Sequence, residues 1–222
     1  MKLSESVRTY NPHDIEAKWQ KRWADTALYR TPAPDGRPTF YCLDFFPYPS
    51  GAGLSVGHCR NYIPTDVISR YHRMQGRAVL HPMGWDAFGL PAENEAIDKS
   101  IHPRESTRRY AANYRRQMDL IGASYDWEKE ISSSHPAYYR WTQWTFLLMY
   151  RRGLAYQALA PVNWCESCKT TLANEEVENG TCWRCHQPVT RRDLKQWFFR
   201  ITAHAGELLA ETYNLDWPEH IL

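Results

Sequence analysis

The stretch from residue 39 to residue 76 leaves this chain few folds to choose from. Thr39-Phe-Tyr-Cys-Leu-Asp-Phe-Phe46 is dense in aromatic and large apolar residues and free of Gly and Pro, which predicts a buried strand. Pro47 and Pro49 stop that strand, and Gly51, Gly53 and Gly57 let the backbone turn tightly. Val67, Ile68, Tyr71 and Met74 then recur at helical spacing, and Gly76 stands where a C-terminal cap belongs. Strand, glycine-rich loop and helix in that order aim backbone N–H groups and the positive helix end at a phosphate. Neither the dinucleotide fingerprint nor the P-loop Gly-Lys-Ser/Thr is present, so those two nucleotide motifs do not fit. Taken alone, the glycine-rich loop reads equally well as a structural turn.

The residues after the loop strengthen the phosphate reading. Pro64 is expected to kink or restart the helix, leaving residues 58–62 as a separate first turn with His58 at the N-terminus. Arg77-Ala-Val-Leu-His-Pro82 reads as the next strand and completes a right-handed βαβ unit. It runs directly into Gly84-Trp-Asp-Ala-Phe-Gly89. Ligands of open parallel sheets sit outside the carboxyl ends of the strands, so both loops are expected to converge on one crevice.

The letters of these loops carry a resemblance. Ser55-Val-Gly-His58 is similar to the nucleotide-binding signature (His-Ile/Val/Leu-Gly-His) of class I aminoacyl-tRNA synthetases. Phe46-Pro-Tyr-Pro-Ser-Gly51 and Gly84-Trp-Asp-Ala-Phe-Gly-Leu-Pro-Ala-Glu93 resemble the leucyl-tRNA synthetase family in particular. The likeness continues in order through Tyr125-Asp-Trp127, Val162-Asn-Trp-Cys165, Leu172-Ala-Asn-Glu175 and Gln196-Trp-Phe198, and so covers nearly the whole chain.

That resemblance implies an α/β chain, the first half of a Rossmann-like nucleotide-binding fold with a small inserted zinc ribbon. The implied organisation is a catalytic half-domain over residues 1–160, the ribbon over 161–194, and a return helix and connection over 195–222. It implies a ligase that activates leucine with ATP and Mg2+ to leucyl-adenylate, then transfers the leucyl group to tRNA(Leu) in translation. The carboxylate of leucine is already nucleophilic, so positioning and charge stabilisation suffice and no dedicated general base is needed. Carried over onto this sequence, Pro49, Gly51, Gly53, Ser55, Gly57 and His58 would bind ATP, with His58 and Ser55 at the phosphates. Asp86 would grip the leucine ammonium, and Phe45, Phe46 and Tyr48 would line the amino-acid pocket. Strand alternation predicts that one of Phe45 and Phe46 is core.

Two departures from the family pattern stand out. Ser55 occupies the place of the signature's first histidine; a hydroxyl can hydrogen-bond a phosphate oxygen but cannot become cationic. No Lys-Met-Ser-Lys-Ser-like segment occurs, nor any editing or anticodon-binding region. The expectation is therefore an N-terminal portion of a larger synthetase, and a 222-residue chain that alone does not activate leucine at a useful rate. A non-catalytic RNA-binding module and a class I ligase for valine, isoleucine or methionine are the rival readings. The 84–93 loop speaks against the second of these. Cys59 beside His58 makes a poor nucleophile–base pair, because helix neighbours point about 100° apart.

Outside these motifs, Lys+Arg 27 against Asp+Glu 25 gives a net charge of +2, so no global basic field advertises nucleic acid. Ten Trp and 14 Tyr argue for a packed globular chain. No apolar leader and no run of about 18 apolar residues occurs, which gives no membrane association and a cytoplasmic expectation. The family resemblance points to a monomer. Asn11-Pro12 opens a helix whose Ile15, Trp19 and Trp23 are expected to bury one face. Residues 103–122 form a helix with Arg104, Arg108, Arg109, Arg115 and Arg116, either a solvated face or a tRNA or phosphate contact. Pro136 opens another, with Tyr138, Trp141, Thr145 and Leu148 as a core stripe, and Phe198, Ile201, Ala205 and Leu208 read as a last helix.

Cys165-x-x-Cys168 and Cys182-x-x-Cys185, separated by 13 residues, have the spacing of a four-cysteine zinc ribbon. Reduced free thiols and a redox pair are the alternatives. A four-thiolate set leaves no open ligand position, so the zinc is expected to be structural, with His186 a bystander.

Overall fold

The computed structural model describes residues 10–49 and 53–222. The chain divides into two compact units at Tyr139 and Arg140. The first opens with α1 (Pro12–Asp25), capped by Asn11, whose side chain accepts from the His13 N–H. No residue of α1 is fully buried. Ile15 and Trp19 are still 38% and 40% exposed, and Trp23 is better covered, against Tyr29 at 5.7 Å. The expected buried face is therefore a half-covered one.

Next come β1 (Thr39–Tyr41), α2 (Val56–Met74) and β2 (Ala78–Leu80), with β1 and β2 paired in parallel from Thr39↔Ala78 to Tyr41↔Leu80. The expected eight-residue buried strand is thus three residues of ladder followed by extended chain. Cys42 N–H still donates to the Leu80 carbonyl at 2.9 Å. The next rung would need an N–H from residue 82, which is proline and has none. Only one face of this run is buried: Cys42 and Asp44 point inward, while Tyr41, Leu43 and Phe45 are more than half exposed.

Pro64 does not break α2, which runs uninterrupted from Val56 to Met74. A proline removes one helical hydrogen bond, here to the Arg60 carbonyl. Tertiary contacts along the packed face hold the rest. That face is polar. Asp66 accepts from the Ser124 N–H at 2.6 Å and pairs with Arg70 at 2.6 Å. Arg70 also reaches the Tyr29 hydroxyl at 2.7 Å and the Gly122 carbonyl, and Ser69 is fully buried. The apolar stripe of Val67, Ile68, Tyr71 and Met74 is exposed.

β3 (Gly84–Trp85) pairs in parallel with β4 (Ile131–Ser132), and between them lie α3 (Leu90–Lys99) and α4 (Pro103–Leu120). Residues 81–86 run between two neighbours: Asp86 N–H donates to the Pro47 carbonyl at 3.0 Å, and Ser133 N–H donates to the Trp85 carbonyl at 2.9 Å. The core of this unit is Tyr62, Met83, Trp85, Ala87, Tyr114, Met118 and Tyr125, with Phe46 and Leu54 packed against it. Beside it the buried Asp44 carboxylate accepts from Tyr125 Oη at 2.8 Å and lies 3.1 Å from His81 Nε2. Burial, then the Asp44 charge, pushes the Tyr125 phenol pKa far up, so it stays a donor.

Gly84 is pressed between its ladder partner Ile131 on β4 and the ring of Phe46. A Cβ there would lie 2.7 Å from both Cγ1 and the carbonyl oxygen of Ile131 and 3.0 Å from Phe46 Cε2. Gly84→Ala is expected to cost about 1–3 kcal/mol. That corresponds to a thermal midpoint lower by roughly 2–12 °C, measurable by calorimetry. An unchanged midpoint would contradict this packing.

α5 (Pro136–Arg151) opens in the first unit and continues into the second. It has no buried residue, and Tyr138 and Trp141 are exposed, so the expected core stripe is not one here. The second unit is dominated by β5 (Ala155–Cys165), which then leads through β6 (Thr170–Leu172), β7 (Val177–Glu178) and β8 (Thr181–Cys182) to β9 (Val189–Phe199). β5 and β9 pair antiparallel from Ala155↔Phe199 to Cys165↔Val189. Phe198 therefore lies in a strand, stacked on Tyr156 at 5.7 Å, and the last helix, α6, is confined to Ala205–Thr212. Cross-strand pairing along the whole of β5 overrides the helical spacing that the sequence displays. Among the described residues no helix is long and apolar enough to cross a membrane.

Candidate active site and metal centre

The start of α2 is built by an unusual capping box. Ser55 is the N-cap: its Oγ accepts from the His58 N–H at 3.3 Å, and His58 Nδ1 accepts from the Ser55 N–H at 3.0 Å. The usual box uses Glu or Gln at the third helical position; here the imidazole takes that part. A nitrogen accepting from a backbone N–H carries no proton, so the neutral ring bears its proton on Nε2. Among the described residues nothing else hydrogen-bonds His58, which leaves Nε2–H as the outward donor. Phe45, Tyr62 and Tyr114 surround the ring at 6.4, 5.8 and 5.8 Å, Tyr114 edge-on at 89°. The Ser55 hydroxyl, expected at a phosphate, is engaged in the cap, 2.8 Å from Nδ1.

His58 and Asp86 line the same crevice. It measures about 380 Å³ and is bounded also by Phe45, Phe46, Pro47, Tyr48, Ser133 and Tyr138. Both phenylalanines line it, Phe45 from the exposed side of the run and Phe46 from the core side. Phe46 packs on the core as well, while Phe45 is more than half exposed. Pro49 is fully buried and shapes the backbone rather than presenting its ring. Gly51 lies outside the described residues. At Gly57 a Cβ would meet, among the described residues, only Ser55 Oγ, at 3.4 Å, an ordinary contact distance. Gly53 is different: a Cβ would strike the Gln117 amide at 2.5 Å.

Sequence reasoning missed Ser133, Tyr138 and the two residues of α4 that back the loop, Tyr114 and Gln117. Ser133 Oγ donates to Asp86 Oδ1 at 3.3 Å and accepts from the Ala87 N–H at 2.8 Å, fixing the carboxylate from behind. Its only local signal is a serine run before Pro136, which reads as a cap. The arginines of α4 divide by place: Arg115 pairs with Glu130 at 3.0 Å and lies over Trp127, Arg109 lies over Tyr110, and Arg104 and Arg108 are exposed.

The second unit holds the metal-ligand set. The Sγ atoms of Cys165, Cys168, Cys182 and Cys185 all lie within 4.8 Å of one another, with Cys165 and Cys182 fully buried. Four thiolates about 2.3 Å from a central ion would be spaced a little under 4 Å apart, so the cluster fits tetrahedral zinc. Lys169 and His186, each just after the second cysteine of its pair, adopt positive φ of 51° and 56°. These matching turns fold each knuckle back on itself. His186 is not among the clustered ligands.

This fold and these two sites define a class of protein. Residues 18–220 match the family model for class I tRNA synthetases (I, L, M and V), and the chain belongs to that family. It has the class I catalytic fold, mixed α/β with a cysteine cluster able to hold zinc. Within the family it is similar to leucine–tRNA ligases. It is 51% identical over 212 residues to that of Elusimicrobium minutum, covering 96% of this chain and 25% of the relative. It is 52% identical over 216 residues to that of Thermotoga maritima, covering 97% and 26%. Among solved structures, the ternary complex of Agrobacterium radiobacter K84 LeuRS, tRNA and LeuAMS superposes with a TM-score of 0.85 at 37% identity, covering 96% of this chain and 28% of that one. Mycobacterium tuberculosis methionyl-tRNA synthetase with methionyl-adenylate shares the fold, with a TM-score of 0.69 at 23% identity over 82% of this chain and 37% of that one. The chain spans about a quarter of the length of the curated relatives it matches.

Proposed function

We propose that this chain is the N-terminal part of the catalytic domain of a leucine–tRNA ligase. The observation that carries the reading is the meeting of His58 and Asp86 in one crevice lined by Phe45, Phe46 and Tyr48. The similar ligases at 51–53% identity supply the amino acid. Asp86 holds the leucine ammonium, and the aromatic side chains take the isobutyl group. A leucine carboxylate oxygen attacks the α-phosphorus of ATP; the new O–P bond forms as the α–β bridge breaks and pyrophosphate leaves. His58 Nε2–H and the first-turn N–H groups of α2 that the cap does not use donate to the phosphate oxygens, where negative charge shifts during the displacement. Mg2+ accompanying the ATP would neutralise further phosphate charge. A ribose hydroxyl of the terminal adenosine of tRNA(Leu) then attacks the leucyl carbonyl and AMP departs. The four cysteines hold a structural zinc that takes no part in these steps.

Leucine-dependent exchange of labelled pyrophosphate into ATP by the full-length protein tests this. Valine is one methylene shorter, so a hydrophobic pocket should favour leucine in kcat/KM by about 10- to 200-fold. Exchange with valine as fast as with leucine would move the protein to another member of the class. No exchange with either would favour an RNA-binding module.

A further inference from the structure

Gln117 lies on α4, far in sequence from the glycine loop, yet its side-chain amide is pressed against that loop. Its Oε1 accepts from the Leu54 N–H at 2.7 Å. A Cβ at Gly53 would sit 2.5 Å from Nε2, 2.6 Å from Oε1 and 2.9 Å from Cδ, so residue 53 must be glycine for the amide to lie where it does. Leu54 immediately precedes Ser55, the N-cap whose box with His58 starts α2. One turn earlier on the same face of α4, the buried Tyr114 presents its edge to the His58 ring at 5.8 Å. Met118, next to Gln117, is fully buried in the core, so α4 is a fixed support here. The helix thus holds the loop at two points: the backbone just before the cap, and the imidazole just inside the helix.

We propose that Gln117 is a positioning residue for the nucleotide-binding loop, clamping Gly53 and Leu54 so that the first turn of α2 and His58 Nε2 point into the crevice. The proposal rests on the reading of that crevice as the ATP site. Gln117 itself does not line the crevice, so it acts through the loop and not on substrate.

In the full-length protein, Gln117→Leu leaves the Leu54 N–H without its acceptor. It is expected to raise KM for ATP and lower kcat/KM for ATP by about 10- to 100-fold in pyrophosphate exchange. KM for leucine should stay within about twofold, because Asp86 and Ser133 are held by a different element. Gln117→Glu keeps an oxygen acceptor in place and should recover most of the loss. A merely structural role would move both Michaelis constants together and would give no such rescue. Amide hydrogen exchange at Leu54 provides a readout free of activity: protected in the parent and the Glu variant, and faster by a similar factor in the Leu variant. Unchanged exchange at Leu54 in Gln117→Leu, or an unchanged KM for ATP, overturns the clamp. A parent protein that shows no leucine-dependent activity while Leu54 still responds overturns the functional reading and leaves the clamp as a loop anchor.

Discussion

Asp86→Asn in the full-length protein is expected to lower kcat/KM for leucine by about 30- to 1000-fold, with KM for ATP nearly unchanged. Asparagine is isosteric, so the crevice keeps its shape and loses only the charge. A carboxylate facing an ammonium makes charge-assisted hydrogen bonds, and removing one partner of a largely desolvated pair costs roughly 2–4 kcal/mol. Each 1.36 kcal/mol is about a factor of ten, which gives the stated range. Stability should barely move, since the Asp86 carboxylate has one weak partner among the described residues, Ser133 Oγ at 3.3 Å. Ser133→Ala should have a milder effect of the same kind, about three- to tenfold, because it removes the long hydrogen bond behind the carboxylate together with the acceptor of the Ala87 N–H. Steady-state exchange kinetics with leucine and ATP varied separately check both. An Asp86→Asn enzyme retaining leucine kcat/KM within about threefold would mean that the amino group is held elsewhere and that the amino acid lies in the crevice in a different orientation.

The parts of this site written in local chemistry were legible in the sequence. Two prolines and a glycine-rich turn between apolar segments fix strand, loop and helix order, and the loop after β2 emerges beside the first. What could not be read depends on partners distant in sequence. Asp66 and Arg70 find their donors and acceptors at Tyr29, Gly122 and Ser124, so the side of α2 that carries them is packed while Val67, Ile68, Tyr71 and Met74 face out. Gln117 reaches Leu54 across 63 positions and Ser133 reaches Asp86 across 47, with nothing nearby to announce either. The end of the β1 ladder was readable in principle from Pro82, because the rung after Cys42 needs an N–H that residue lacks. Phe198 shows the opposite failure: its spacing with Ile201 and Ala205 is helical, and the pairing with Tyr156 on β5 decides otherwise.

Loss of zinc should unfold the tip of the second unit while leaving the first unit intact. Between Cys165 and Val189 the buried core consists of Cys165, Leu172 and Cys182, supported by the partly buried Val177 and Val189. Two of the three buried residues are the proposed ligands, and so small an apolar core cannot stabilise a folded segment without a crosslink or a metal. Zinc binding to such four-cysteine sites is worth about 10–16 kcal/mol at neutral pH, and that binding energy is the folding energy of the tip. The parent protein, purified without chelator, should carry about one zinc per chain by elemental analysis. Cys182→Ser should carry far less, and limited proteolysis should cut it within residues 166–188. His186→Ala should keep its zinc, since that residue turns the knuckle through its backbone (φ 56°) and lies outside the thiol cluster. The β5–β9 ladder below Cys165 does not depend on the ion and should stay protected from hydrogen exchange. Parent protein with well under one zinc per chain, or Cys182→Ser as protease-resistant as the parent, would leave the four thiols as a reduced cluster with no metal to hold.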